Sequence, residues 1–179
     1  MSQVATMYAQ ALYDLAKEEK LDAVILQQLG ALRAAFAEEP SFVRLLSAPN
    51  LSKQERCKIL DDSFRGKVET YLLHYLKLLT EKGYMRHFEG SCKAYEEIYN
   101  RDHGILPVRA VTAVALTDAQ AQKLTAKLEK ITGKTVVLTN RVDPAVMGGV
   151  RLDYDGKCVD GTVKNRLDAV GNLLKNTVL

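Results

Sequence analysis

From Val4 to about His103 apolar side chains return every three or four positions, the 3.6-residue period of helices that bury one face. The pattern breaks at Pro40, at Pro49-Asn50, at Gly66 and at Gly83, where a missing amide or an unrestricted backbone interrupts helical hydrogen bonding. The spacing predicts six helices, near residues 3–19, 22–38, 41–47, 52–62, 67–82 and 84–102. Ser52 with Glu55 three positions on is a capping box ahead of Cys57, Ile59 and Leu60, so the fourth helix has the best-defined start. Around Asp102-His103-Gly104 the period stops, and Ile105 to Val111 reads as an extended, β-branched run. A boundary is expected there, with an all-α six-helix bundle over 1–104 followed by a small α/β domain over 105–179.

In the second part, Thr117 and Gln120 form another capping box, opening a helix with Ala121, Leu124, Leu128 and Ile131 on one face and a stop at Gly133. Val136, Leu138 and Val142 then alternate as in a strand. Asp143-Pro144 turns the chain, and Met147-Gly148-Gly149-Val150 restarts an extended run. Glycine inside a strand marks a bulge or a place where another backbone comes close. Tyr154-Asp155-Gly156-Lys157 has the chemistry of a two-residue hairpin whose central residues need positive φ, and Cys158-Val159 should return as a short strand. Thr162 can cap a last helix carrying Val163, Leu167, Val170 and Leu174. The predicted order is β, α, β, β, β, α.

The first and fifth helices carry more apolar surface than one core-facing stripe requires. On the first, Val4, Met7, Tyr8, Ala11, Leu12 and Leu15 form the stripe, and Ala5, Ala9, Tyr13 and Ala16 widen it to roughly 240°. On the fifth, Val68, Tyr71, Leu72, Tyr75, Leu76 and Leu79 are widened by Leu73 and Leu78 to roughly 220°. A single stripe is usually a little over about 100° wide, so something must cover the surplus. Two covers are open: neighbouring helices of the bundle, or an amphipathic helix of a partner lying in a groove between helices one and five.

Three sets of residues carry a family resemblance. Val142-Asp143-Pro144, Gly148-Gly149-Val150 and Asp160-Gly161-Thr162-Val163 with Arg166-Leu167 form one set. The others are Ala5-Thr6-Met7-Tyr8-Ala9-Gln10-Ala11-Leu12 at the start and Leu78-Leu79-Thr80-Glu81-Lys82-Gly83 at the centre. In order and spacing the chain resembles, over nearly its whole length, the delta subunit of rotary ATP synthases, the family of the oligomycin-sensitivity-conferring protein. The resemblance implies a non-catalytic stator subunit that links the catalytic head to the peripheral stalk and resists torque. It implies that the groove holds the N-terminal helix of an alpha subunit, with Tyr8, Ala11 and Leu78 at matching positions and Leu12 and Leu73 beside them. The second domain would hold the C-terminal coiled coil of the b subunits, at the cytoplasmic face of a bacterial inner membrane. Gly148, Gly149, Asp160, Gly161, Thr162 and Arg166 are expected to be structural.

Charge adds little. Lys and Arg number 25 against 22 Asp and Glu, for a net +3. Residues 1–104 hold 14 basic and 15 acidic side chains and residues 105–179 hold 11 and 7, a surplus that leaves a small nucleic-acid-binding module as the alternative reading. Against it, the basic residues neither cluster nor interleave with aromatics. Cys57, Cys92 and Cys158 are widely spaced without a C-x-x-C pair. No apolar run approaches the roughly 18 residues of a membrane span, so direct membrane insertion is not expected. Gly133-Lys134-Thr135 ends like a phosphate-binding loop, but Leu128 replaces the first glycine and a helix leads into a strand, the reverse of that motif. His74, His87 and His103 share no metal-ligand spacing, and no nucleophile–base pair or carboxylate pair can be assembled. No catalytic residue, metal or cofactor is expected.

Overall fold

A computed structural model describes residues 3–48, 51–163 and 165. Among them lie seven α-helices and a four-stranded mixed sheet, an α+β fold. The chain divides into two compact units, Met1–Tyr99 and Asn100–Leu179. The division falls near the end of a helix rather than at the Gly104–Ile105 change of period.

The first unit contains α1 (Gln3–Glu18), α2 (Asp22–Glu38), α3 (Pro40–Leu46), α4 (Lys53–Phe64), α5 (Thr70–Glu81), a 3-10 turn at Met85–His87 and α6 (Phe88–Asp102). Pro40 opens α3, where its fixed φ suits a helix start and its missing amide costs nothing. Ser52 caps α4 as a complete capping box: Glu55 N donates to Ser52 Oγ at 3.2 Å and Ser52 N donates to Glu55 Oε2 at 2.8 Å. The fifth helix begins at Thr70, not near residue 67. Gly66 takes φ 77°, and Glu69 is extended with its amide donated to Gln28 Oε1 at 2.8 Å, so the chain stays irregular until that bond is made. Gly83, with φ 72°, ends the same helix region. All six helices contribute to one core, whose members include Leu12, Ile25, Leu46, Leu60, Leu72 and Tyr95.

The second unit contains β1 (Ile105–Thr112), α7 (Asp118–Thr132), β2 (Thr135–Val142), β3 (Val150–Tyr154) and β4 (Lys157–Asp160), in the sheet order β2-β1-β3-β4. β1 and β2 run parallel with Leu106 opposite Val136 and Val108 opposite Leu138, and α7 makes the crossover between them. β3 is antiparallel to both β1 and β4. Thr117 and Gln120 close the expected capping box on α7, and Gly133 ends the helix at φ 68°, its amide donating to Glu129 O at 2.8 Å. Asp155 and Gly156 take φ 47° and 70°, the positive pair a two-residue hairpin demands. Thr162 Oγ accepts the Asn165 amide at 3.3 Å, as a cap does. The rest of the expected last helix, with Arg166, Leu167, Val170 and Leu174, lies outside the described residues.

Candidate functional site

α1 meets its own unit through its small residues. Ala5, Ala9, Leu12, Tyr13 and Ala16 are buried. A Cβ added at Gly90 on α6 would stand 3.3 Å from Ala5 Cβ, and the Tyr13 ring meets Tyr95 of α6 edge-on with centroids 5.4 Å apart. Alanine facing glycine lets two helices close up, so the sector expected as mere widening is the inner face. The expected core stripe is corrected accordingly. Met7 is 61% exposed and Leu15 37%, with Ala11 exposed between them, a row at four-residue spacing along one side of α1.

α5 divides less evenly. Leu72, Leu73, Tyr75, Leu76 and Leu79 are buried, and Leu78 is 41% exposed. α1 and α5 run antiparallel, tied at both ends. The half-buried Tyr8 ring meets Tyr84, just past α5, edge-on at 5.8 Å. At the other end the Glu19 charge, with a hydrogen bond from the phenol and some burial, holds the Tyr71 hydroxyl above its ordinary pKa. On the α4 side of α5, Lys77 Nζ lies 2.7 Å from Asp61, and that bond keeps the Asp61 carboxyl below the usual range.

Of the residues expected to line a groove, Tyr8, Ala11 and Leu78 present surface to solvent. Leu12 and Leu73 do not: at 4% and 6% exposure they belong to the core. Leu12 lies near the middle of the apolar arc of α1 and is buried with Ala5, Ala9 and Tyr13, and Leu73 enters the same core from α5. Met7 and Leu15 were the signal for the outer face, because a large side chain cannot sit where the helices approach at Ala5 and Gly90.

The glycine motif is a crossing of two backbones. A Cβ on Gly149, which has φ 84°, would stand 2.5 Å from Gly161 O and 2.9 Å from Thr162 Cα. One on Gly161 would meet Val150 O at 3.1 Å. Gly161 N donates to Val150 O and Val163 N to Gly148 O, each at 3.0 Å, so the segments are stitched on both sides of the contact. Asp160 Oδ1 accepts the Thr162 amide at 2.9 Å, and hydrogen bonds from the Thr162 hydroxyl and then its amide hold the Asp160 carboxyl below the usual range. These groups fix chain direction after β4. Lys134 follows the cap of α7 rather than a phosphate loop, and His87 Nε2 accepts from Arg86 Nε at 3.2 Å. Cys57, Cys92 and Cys158 are all free thiols.

The model of the ATP synthase delta (OSCP) subunit family matches residues 4–174. The ATP synthase subunit delta of Alkaliphilus oremlandii is 33% identical over 164 residues, covering 92% of this chain and 91% of that one. The subunit delta of Latilactobacillus sakei is 31% identical over 172 residues, covering 96% and 95%. A chain in the cryo-EM structure of the Toxoplasma gondii mitochondrial ATP synthase hexamer shares the fold with a TM-score of 0.76 at 20% identity, over 97% of this chain and 98% of that chain. The near-complete family match and the two relatives above 30% identity agree with the glycine crossing, the capped helices and the mixed sheet: this chain belongs to the ATP synthase delta (OSCP) subunit family.

Proposed function

We propose that the helical unit, as a six-helix bundle, holds the N-terminal helix of an ATP synthase alpha subunit against the outer face of α1 and α5, while the sheet unit holds the C-terminal coiled coil of the b subunits. Membership of the family makes the chain a non-catalytic stator subunit of the rotary proton-translocating ATP synthase. The observation that carries the finer reading is the exposed apolar row Met7, Ala11 and Leu15 beside Tyr8, with Leu78 on the antiparallel α5. Leu12 and Leu73 back this face from within rather than touching the partner. A large, half-exposed ring with a hydroxyl, such as Tyr8, anchors a partner at low entropic cost. Rotation loads this joint with torque, so it must release slowly, and related interfaces are tuned mainly through off-rate. A docked helix burying about 800 Å² per partner would have standard interface size.

We place the chain at the cytoplasmic face of a bacterial inner membrane, held there by the complex. No helix among the described residues is long and apolar enough to cross a membrane. Nothing in the fold or the relatives supports the nucleic-acid alternative.

Titration calorimetry of the full chain with an alpha N-terminal peptide tests the face. Leu78→Asp and Met7→Asp each should weaken binding roughly tenfold or more, as loss of an apolar anchor does, with far-UV circular dichroism unchanged. Wild-type affinity in both variants rejects the face.

A further inference from the structure

Away from α1 and α5, the helical unit holds a cleft of about 810 Å³ between α2, α3 and the start of α6. Interiors rarely leave space much larger than a water molecule, and this volume falls within the range of pockets that take small organic ligands. Its floor is aromatic and firm. Phe36 stacks on Phe42 with centroids 5.6 Å apart, tilts against Phe88 at 5.1 Å, and has Met85 and Val43 beside it. Phe36, Met85 and Phe88 are all buried, so the floor is preformed, and methionine adapts to an irregular apolar guest.

The rim is mainly basic, three arginines against one glutamate. Arg33, Arg44 and Arg86 stand around the mouth, all exposed. The rim acid Glu89 has Lys93 Nζ 2.7 Å from its carboxylate, which offsets its charge. Arg33 meets Glu96 only at 3.7 Å, with both side chains about half exposed, a geometry worth little in water. One wall is Gly30, in the middle of α2. Glycine weakens a helix interior, and at this position neither a positive φ nor a close neighbour calls for it, since an added Cβ would meet nothing within 4 Å. What its missing side chain does is leave the mouth open.

We propose that this cleft is a binding site for a single-chain amphipathic carboxylate, its tail on the Phe36–Phe88 floor and its head held by the arginine rim. Guanidinium forks match a carboxylate in shape and charge, and a cationic head of equal length would be repelled. Its lining residues are none of those on the proposed partner-binding face.

The probes are decanoate and decyltrimethylammonium, titrated into the full chain carrying 13C-methyl methionine. Decanoate should move the Met85 resonance saturably below its micelle threshold and leave those of Met7 and Met147, on the surface, in place. The cation should bind roughly tenfold or more weakly, as should decanoate to Arg44→Glu/Arg86→Glu, because a charged hydrogen-bond pair is lost. Gly30→Leu should block decanoate while Gly30→Ala does not, and neither substitution asks the helix to distort. A silent Met85, equal response to both heads, or uniform movement of all methionines overturns the proposal. So does an acidic helical peptide that shifts Met85 where decanoate does not, which would make the cleft a protein-docking site.

Discussion

In the helical unit Leu46, Leu60, Leu72, Leu76 and Leu79 meet at 0% exposure, and side chains from all six helices join one cluster. Among the described residues of the sheet unit, the core cluster is Leu106, Val108 and Val136, and α7 has no fully buried residue. Among the described residues, Ala110 and Val111 are buried too, and backbone conformation adds much of the order: a parallel crossover, a hairpin with two positive φ angles, and the Gly149–Gly161 crossing. One unit is specified by packed volume and the other by conformations that a few residues alone permit. A densely packed unit deforms little, and its outer apolar row can be devoted to a partner without weakening the interior.

If this contrast is right, the largest effect follows from removing volume in the helical unit. Leu76→Ala should cost about 3–4 kcal/mol there, the loss of transferred methyl groups plus an unrelaxed cavity. Val136→Ala, in the small sheet cluster, should cost about 1–2 kcal/mol. Native-state hydrogen exchange reads each unit separately through amides of α5 and β1, and similar losses in both would erase the distinction. Backbone substitutions should weigh heavily in the sheet unit. Gly149→Ala combines a left-handed φ with an overlap against Gly161 O and should cost the sheet unit about 3 kcal/mol, seen as lost protection of the Gly161 and Val163 amides. Gly133→Ala has the same φ problem but open space around its Cβ, so about 1 kcal/mol is expected. Equal costs at the two glycines would mean that φ, not the crossing, sets the requirement.

Local chemistry was the legible part of the fold. Ser52/Glu55, Thr117/Gln120, Gly133 and Asp155-Gly156 each act within four residues, and each occupies the conformation its neighbours demand. The Gly148-Gly149 pair left a bulge and a close approach both open, and nothing in the sequence singled out the backbone at Gly161 as the one that approaches. The inner face of α1 was not legible. Periodicity measures the width of an apolar arc, but which sector points inward depends on Gly90, far along the chain on α6. For the same reason Leu12 and Leu73 could not be separated from Tyr8, Ala11 and Leu78 before the helices were assembled. The arginine-rimmed cleft escaped notice altogether, since Arg33, Arg44 and Arg86 fall on three different elements and converge only in the fold.

The smallest expected effects come from two tyrosines inside the side-chain-packed unit, and they should differ in sign. Tyr95 Oη donates to Asp22 O at 3.0 Å, tying α6 to the first turn of α2. Tyr75 is buried, its hydroxyl makes no well-formed hydrogen bond among the described residues although the Ser91 side chain lies beside it, and burial pushes its pKa well above the ordinary phenol value. Tyr95→Phe leaves a carbonyl short of a donor and should cost about 1 kcal/mol, whereas Tyr75→Phe removes a poorly satisfied group and should stabilise by about 0.5 kcal/mol. Urea denaturation of both variants, with exchange at α5 and α6 amides as the unit-specific reading, checks the pair. A loss on Tyr75→Phe would show that its hydroxyl is satisfied in solution. The helical unit would then owe part of its rigidity to a polar tie, and the contrast between side-chain packing in one unit and backbone geometry in the other would narrow.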